Sequence, residues 1–110
     1  MTSNGLAGMI AERQLTLAAD NGQVREILVR IGKPEFSPDR SDYSCEFQIL
    51  GVGEGKATRI YGVDAFHSLQ LTLRFISITL NHYRQEANGA IYWQEPGDDM
   101  GFAVAEQPRF

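Results

Sequence analysis

Few side chains in this 110-residue sequence could act as a nucleophile, a general base or a metal ligand. Cys45 is the only cysteine, and neither of the two histidines lies near it in the sequence. His67 and His82 are fifteen positions apart on one predicted helix. At a rise of about 1.5 Å per residue they lie more than about 20 Å apart, too far to bind one metal ion. We therefore predict no catalytic, cofactor-binding or metal-binding residues.

The context of Cys45 favours a structural thiol over a reactive one. Tyr43, Cys45, Phe47 and Ile49 alternate with polar residues, which places Cys45 on the apolar face of a predicted strand. A cysteine buried in such a position behaves as a small hydrophobic side chain. A single cysteine also excludes an internal disulfide and suits a reducing cytoplasm.

Two further segments resemble ligand-binding loops only in part. The glycine-rich stretch from Gly51 to Lys56, GVGEGK, is one residue shorter than a Walker A loop and is followed by Ala57 instead of serine or threonine. We interpret it as a flexible connection. Glu95, Asp98 and Asp99 form an acidic turn that lacks the ligand spacing of an EF-hand. We interpret Arg13 and Arg25 as charges at strand ends.

The longest regular element that positions these residues is a helix predicted over residues 64–86, where no Gly or Pro occurs. Asp64 is suited to cap its N-terminus, and Asn88-Gly89 to end it. One apolar stripe is expected to face the core: Phe66, Leu69, Leu73, Ile76, Leu80 and Tyr83. A second stripe lies almost opposite and comprises Leu71, Phe75, Ile78 and His82. Ser68, Thr72 and Thr79 are expected on a flank between the stripes.

The second stripe needs a cover, because a helix on one sheet buries only one face. The aromatic residues that follow the helix could fold back over it. Alternatively, the stripe could form an interface with a second copy or another protein. The candidate interface residues are Leu71, Phe75, Ile78, His82, Trp93 and Phe102.

The first half of the chain predicts a hairpin. Leu15 and Leu17 in residues 11–19 and Ile27, Val29 and Ile31 in residues 24–31 occupy odd positions, although Leu28 breaks the pattern. A two-residue Asn-Gly turn would set odd positions opposite even ones, whereas a three-residue loop of Asp20, Asn21 and Gly22 sets Leu15 opposite Ile27. We predict the three-residue loop.

The remaining segments complete the predicted architecture. Residues 32–42 read as a loop with two prolines, residues 43–49 as a strand, and residues 57–62 as a fourth strand in which either Ile60 or Tyr61 points inward. A short strand is expected at residues 91–93. The fold class is therefore α+β: a two-layer sandwich of about four antiparallel strands in meander order, with one long helix across one face (ββββα plus a short C-terminal strand).

Composition indicates one globular domain. A hydrophobic share of 43% and a charged share of 22% are typical of folded proteins. We expect a flexible leader at residues 1–8 and a single domain at residues 9–110. The net charge of −4 argues against nucleic-acid or membrane-surface binding. We find no signal peptide or membrane-spanning run and expect a cytoplasmic location.

Several segments together are similar to a known family. IAERQLTL, VRIGKPEFSPDRSDYSCEFQILGVG, YGVDAFHSLQLTLRFI and WQEPGDDMGF resemble a family of small bacterial proteins that share a domain of unknown function. The family shows an IAER-type first strand, a YGVD helix start and a GD-x-GF ending. The resemblance covers most of residues 9–102 and implies one compact domain, without implying an activity.

Three hypotheses on function follow. We favour a non-catalytic interaction or accessory protein, a homodimer or the partner of another protein, acting through the helix and the aromatic tail. The alternative is a small-molecule binding module whose pocket between helix and sheet is lined by Phe47, Phe66, Tyr61 and Tyr83. An enzyme is the weakest hypothesis, because no set of nucleophile, base and orienting group is visible.

Overall fold

The chain folds into one antiparallel sheet layer and one helix in the computed structural model, which describes residue 6 and residues 8–102. The predicted leader, residues 1–8, lies largely outside the described residues. The elements are β1 (Met9–Ala18), β2 (Val24–Gly32), β3 (Glu35–Ser37), β4 (Asp42–Leu50), β5 (Thr58–Gly62), α1 (Ala65–Glu86) and β6 (Ala90–Tyr92).

The sheet is open and antiparallel at every described pairing. β1 pairs with β2, β2 with β4, and β4 with β5. The α+β class and the helix across one sheet are therefore confirmed, but within the described residues the sheet has six strands and its order departs from a simple meander. β3 lies within the predicted loop at residues 32–42 and pairs with the start of β4. β6 returns after the helix and pairs with β1 at the edge.

The hairpin has the predicted register. Leu15 lies opposite Ile27, and the pairing continues to Ala18 opposite Val24. The Ala19 N–H donates to the Gln23 carbonyl over 2.9 Å, which closes the three-residue loop. Gly22 has φ +90°, the left-handed conformation that such a loop requires and that glycine adopts without strain.

The core lies between α1 and the inward side chains of the sheet. Its fully buried members include Leu15 and Ile27 from the hairpin and Ile76 and Leu80 from the helix. Because one face of each strand points to the helix, the odd positions of β1, β2 and β4 form the floor of this core. Further buried residues are Leu17, Val29, Ile31, Cys45, Phe47, Ile49, Val52 and Ile91.

The buried face of α1 differs from the predicted core stripe. Ile76 and Leu80 are buried, and Leu69, Leu73 and Tyr83 are partly buried against the core. Phe66 was wrongly assigned to the core, because its side chain is 78% exposed. Ser68 and Thr72, predicted on a flank, are completely buried.

Two observations explain why the buried face of α1 includes Ser68 and Thr72. A Cβ at Gly62 of β5 would lie 2.4 Å from the Ser68 nitrogen, so the helix backbone rests directly on the strand. Only small side chains fit beside such a contact. The hydroxyls are satisfied within the helix, since Ser68 Oγ donates to the Ala65 carbonyl and Thr72 Oγ1 donates to the Ser68 carbonyl. Their burial therefore leaves no unpaired polar group.

The helix ends follow the sequence. Asp64 caps the N-terminus, where its Oδ1 accepts a hydrogen bond from the His67 N–H over 2.7 Å. The chain leaves the helix through Asn88, which has φ +48°. A left-handed residue at this position ends a helix in the usual way.

The other face of the sheet is largely polar. The register between β4 and β5 shows which residue of β5 points towards the core. Ile60 lies opposite Cys45 and points to the core side, whereas Tyr61 lies opposite Ser44 and points away. The Arg40 guanidinium stacks 3.9 Å above the Tyr61 ring. Two ion pairs cross this face: Arg30 with Glu12 and Arg59 with Glu46.

Across residues 6 and 8–102, no helix is long and apolar enough to span a bilayer.

Candidate functional site

The second stripe of α1 faces solvent. Phe75 is 47% exposed and Ile78 is 56% exposed, while Leu71 is half-buried. His82 is exposed, and its Nε2 lies 3.3 Å from the Glu86 carboxylate one turn away. We call Leu71, Phe75, Ile78 and His82 the outer face. These four predicted interface residues are brought together by the helix.

The other two predicted interface residues lie elsewhere. Trp93 and Phe102 flank the guanidinium of Arg13, whose Cζ lies 3.8 Å from the centre of the Trp93 ring and 4.9 Å from that of Phe102. Arg13 Nη1 donates to the Gly101 carbonyl over 2.6 Å. We call this arrangement the Arg13 clamp. It joins the tail to β1, so the tail rings do not cover the outer face.

Sequence reasoning missed the role of Arg13. The residue is in the inward phase of β1, together with Leu15 and Leu17, and is not simply a charge at a strand end. A cation in the apolar phase of a strand needs ring faces or carbonyls as partners when it is half-buried. Aromatic residues later in the chain could have been tested as those partners.

A cavity of about 510 Å³ lies between α1 and the glycine loop that connects β4 to β5. We call it the loop cleft. Its walls include three aromatic residues, Phe47, Phe75 and Tyr83, and its rim includes Lys56 and Glu54. Phe47 and Tyr83, two of the four residues expected around a pocket between helix and sheet, line this cleft.

The predicted pocket was wrong for two residues. Phe66 projects into solvent from the first turn of α1, and Tyr61 lies on the opposite face of the sheet beneath Arg40. Neither lines the loop cleft. The apolar pattern of β5 could not show which of two adjacent residues points inward.

Two other cavities flank the core. One, of about 530 Å³, opens at the tip of the β1–β2 hairpin beside Arg25, Tyr83 and Glu86. It shares Val52, Gly53 and Tyr83 with the loop cleft. The other, of about 300 Å³, lies under Phe102 next to Arg13 and Leu73.

Gly53 brings the glycine loop into close contact with Tyr83 of the helix. A Cβ at Gly53 would lie 2.1 Å from the Tyr83 hydroxyl oxygen, and Gly53 has φ +64°. Val52 beside it is buried in the core. The loop is therefore anchored at its centre by Val52 and packed tightly against Tyr83.

The remaining reactive groups have structural surroundings. Cys45 Sγ donates to the Gly32 carbonyl over 3.4 Å, and burial raises the pKa of its thiol. His67 Nδ1 accepts the Val63 N–H over 2.9 Å, so its ring closes the turn from β5 into α1. Neither group lines a cavity described above.

The acidic turn uses its carboxylates on its own backbone. Asp98 Oδ2 accepts the Glu95 N–H over 2.9 Å, and Asp99 Oδ1 accepts the Gly101 N–H over 2.8 Å. Within the part of the chain that the structure describes, no group of three or more His, Cys, Asp or Glu side chains is placed to hold a metal ion.

Comparison with known proteins gives one match. The family model described as a domain of unknown function (DUF6968) matches residues 11–104. No curated protein and no solved structure matches the chain.

Proposed function

The chain belongs to the DUF6968 family, and on this premise we propose that it is a non-catalytic interaction protein. It associates with a second copy of itself through the outer face of α1. The observation that carries the proposal is the exposure of Phe75 and Ile78 at the centre of the longest element, where Phe75 also borders the loop cleft. Exposed apolar side chains that adjoin one another favour an interface.

The spacing of the outer face suits a two-fold partner. Leu71, Phe75, Ile78 and His82 are separated by four, three and four positions, which reads the same in both directions. When two such helices pack antiparallel about a two-fold axis, Phe75 of each copy lies beside Ile78 of the other. Leu71 lies beside His82 in the same way. These are the a and d positions of a short antiparallel coiled-coil seam.

The flanks of this seam place few like charges opposite one another. Arg74 and Asn81 lie along one flank, and in the antiparallel arrangement Arg74 approaches Asn81 of the other copy rather than its own counterpart. The seam spans only three helical turns. Interfaces of this size are weak, so the dimer dissociates on dilution.

The surroundings of the reactive side chains support a role without catalysis. Cys45 is buried with its thiol bonded to a carbonyl, and His67 is engaged in a turn. A lone cysteine that keeps its thiol also suits the reducing bacterial cytoplasm, where we place the protein.

Light scattering across a concentration series tests the proposal. The native chain should shift from monomer to dimer mass as its concentration rises, and Phe75→Asp should remain a monomer with unchanged circular dichroism. Phe66→Asp is the matched control, because Phe66 is an exposed phenylalanine on the same helix but off the seam. A native chain that stays monomeric at millimolar concentration would contradict the proposal.

Disulfide trapping tests the antiparallel register. The native Cys45 is buried, so cysteines introduced on the outer face react alone. A mixture of Phe75→Cys and Ile78→Cys chains should form a disulfide-linked heterodimer under mild oxidation, whereas either variant alone should not. Efficient linkage of Phe75→Cys to itself would instead indicate a parallel pair and contradict the register.

A further inference from the structure

The loop cleft combines an aromatic wall with a rim that carries a lysine, and we propose that it binds a small planar aromatic molecule carrying an anionic group. The cleft shares one residue, Phe75, with the outer face, and its other lining residues lie off the seam. The inference rests on the rings that line the cavity and on the polar groups at its mouth.

Two rings of the aromatic wall offer surface to a ligand, because Phe75 is 47% exposed and Tyr83 is partly exposed, whereas Phe47 is buried beneath them. Phe47, Phe75 and Tyr83 line the same cavity, yet no two of these rings stack on each other in the described structure. Ile49 and Val52 add aliphatic surface. A flat apolar ring inserted among them would gain ring contacts of about 0.5–1.5 kcal/mol per pair beyond the burial of its area.

The rim has the groups that an anion requires. Lys56 lines the cavity and is paired only with Glu54, at 3.2 Å, in an exposed ion pair. Such a pair contributes little and opens easily. Gly53 and Glu54 of the glycine loop also line the cavity. An incoming phosphate or carboxylate can accept a hydrogen bond from the Lys56 ammonium.

Tyr83 provides a second polar contact. Its hydroxyl lies against Gly53 and makes no hydrogen bond within residues 8–102. It stands where the aromatic wall meets the loop. A ligand whose ring packs on the wall therefore meets a donor at the boundary between its apolar and charged ends.

The volume limits the ligand. A cavity of about 510 Å³ that is open at one side suits a single substituted ring and falls within the usual range for small-molecule sites. Glu54 at the rim disfavours a ligand with a second negative charge, because its carboxylate repels an anion. Removal of that carboxylate should therefore strengthen binding.

Isothermal titration with phenyl phosphate and with benzoate tests the site. Inorganic phosphate supplies the anion without the ring, and benzyl alcohol supplies the ring without the anion. Either aromatic anion should bind the native chain at least about tenfold more tightly than both partial probes, as expected when two contributions of about 1.4 kcal/mol combine. Failure of both aromatic anions to bind at millimolar concentration would overturn the proposal, as would equal affinity for inorganic phosphate.

Four variants locate the binding. Lys56→Met should weaken it about tenfold, whereas Lys33→Met, the matched change at the only other lysine, should leave it unchanged. Glu54→Gln should strengthen it, and Thr58→Trp should block the cavity that Thr58 lines. None of these residues belongs to the outer face, so loss of ligand binding is distinguishable from loss of self-association. Equal effects of Lys56→Met and Lys33→Met would assign the anion to nonspecific attraction and exclude this site.

Discussion

Gly62 of β5 and Ser68 of α1 touch through their backbones. A Cβ placed on Gly62 would lie 2.4 Å from the Ser68 nitrogen and 2.7 Å from its Cα. Side chains do not come so close to a backbone, and the neighbouring atoms belong to a helix that cannot move locally. The contact fixes the distance of α1 from the sheet, and with it the depth of the core.

Gly62→Ala should therefore destabilise the fold by about 2–3 kcal/mol, because the helix must move away from β5 to accept a methyl group. Urea unfolding followed by circular dichroism measures the loss. Gly97→Ala is a control in open space that carries only the penalty of its φ of +98°, about 1 kcal/mol. A loss at Gly62 no larger than that at Gly97 would contradict the contact.

Arg13→Ala should release the tail. The substitution removes a guanidinium between two rings and its hydrogen bond to Gly101, with an expected loss of about 2 kcal/mol. Trp93 is the only tryptophan, so its emission should shift to the red and become more accessible to acrylamide. Arg30→Ala, which breaks a surface ion pair on the other face of the sheet, should leave the emission unchanged. Native emission in Arg13→Ala would argue against the clamp.

The Cys45 thiol should make the fold sensitive to alkali. Burial raises its pKa above the ordinary value of 9.0, while in the unfolded chain the thiol titrates normally. Its stabilising contribution is then complete below pH 9.0 and is lost as the pH rises through the folded-state pKa, because only the unfolded chain releases the proton.

Chemical denaturation between pH 8 and pH 10.5 measures this effect. The native chain should lose more stability over this range than Cys45→Ala, which lacks the titrating group but shares every other one. Parallel pH profiles for the two chains would show that the thiol titrates alike in the folded and unfolded states.

Gly53→Ala and Tyr83→Phe should be coupled. The alanine methyl would lie 2.1 Å from the Tyr83 hydroxyl oxygen and 2.8 Å from Tyr83 Cζ, at a residue with φ +64°, so Gly53→Ala alone should lose about 2–3 kcal/mol of stability. Tyr83→Phe alone should have little effect, since the hydroxyl has no hydrogen-bond partner among the described residues. The double variant should recover at least about 1 kcal/mol in a double-mutant cycle. Additive losses would mean that the hydroxyl contributes nothing to the cost of the methyl group, which would then come from the ring and from the backbone conformation of Gly53.

Local patterns predicted the parts of the fold that depend on local geometry. Side-chain parity was sufficient to choose the hairpin loop, because a shift by one residue would have turned Leu15 away from Ile27. The Asp64 cap follows from a hydrogen bond between residues three positions apart. The helix ends where a left-handed Asn88 permits it.

The features of the fold that the sequence could not predict depend on contacts between residues far apart in the chain. The apolar period of α1 does not reveal where the sheet beneath it ends, so Phe66 was assigned to a core that does not extend that far. The close approach of Gly62 favours Ser68, whose hydroxyl bonds within its own helix and escapes the usual penalty for burial. The partners of Arg13 are at least eighty positions away in the chain.

The pairing of β6 with β1 has a consequence for the order of synthesis. β1 is made before β6 and acquires it as a second neighbour only after residue 92 has left the ribosome. Until then the backbone of residues 16–18 lacks that partner, and Ile91 is missing from the core. Folding of this sheet therefore waits for β6, and a chain interrupted before this point exposes an edge that other chains can pair with.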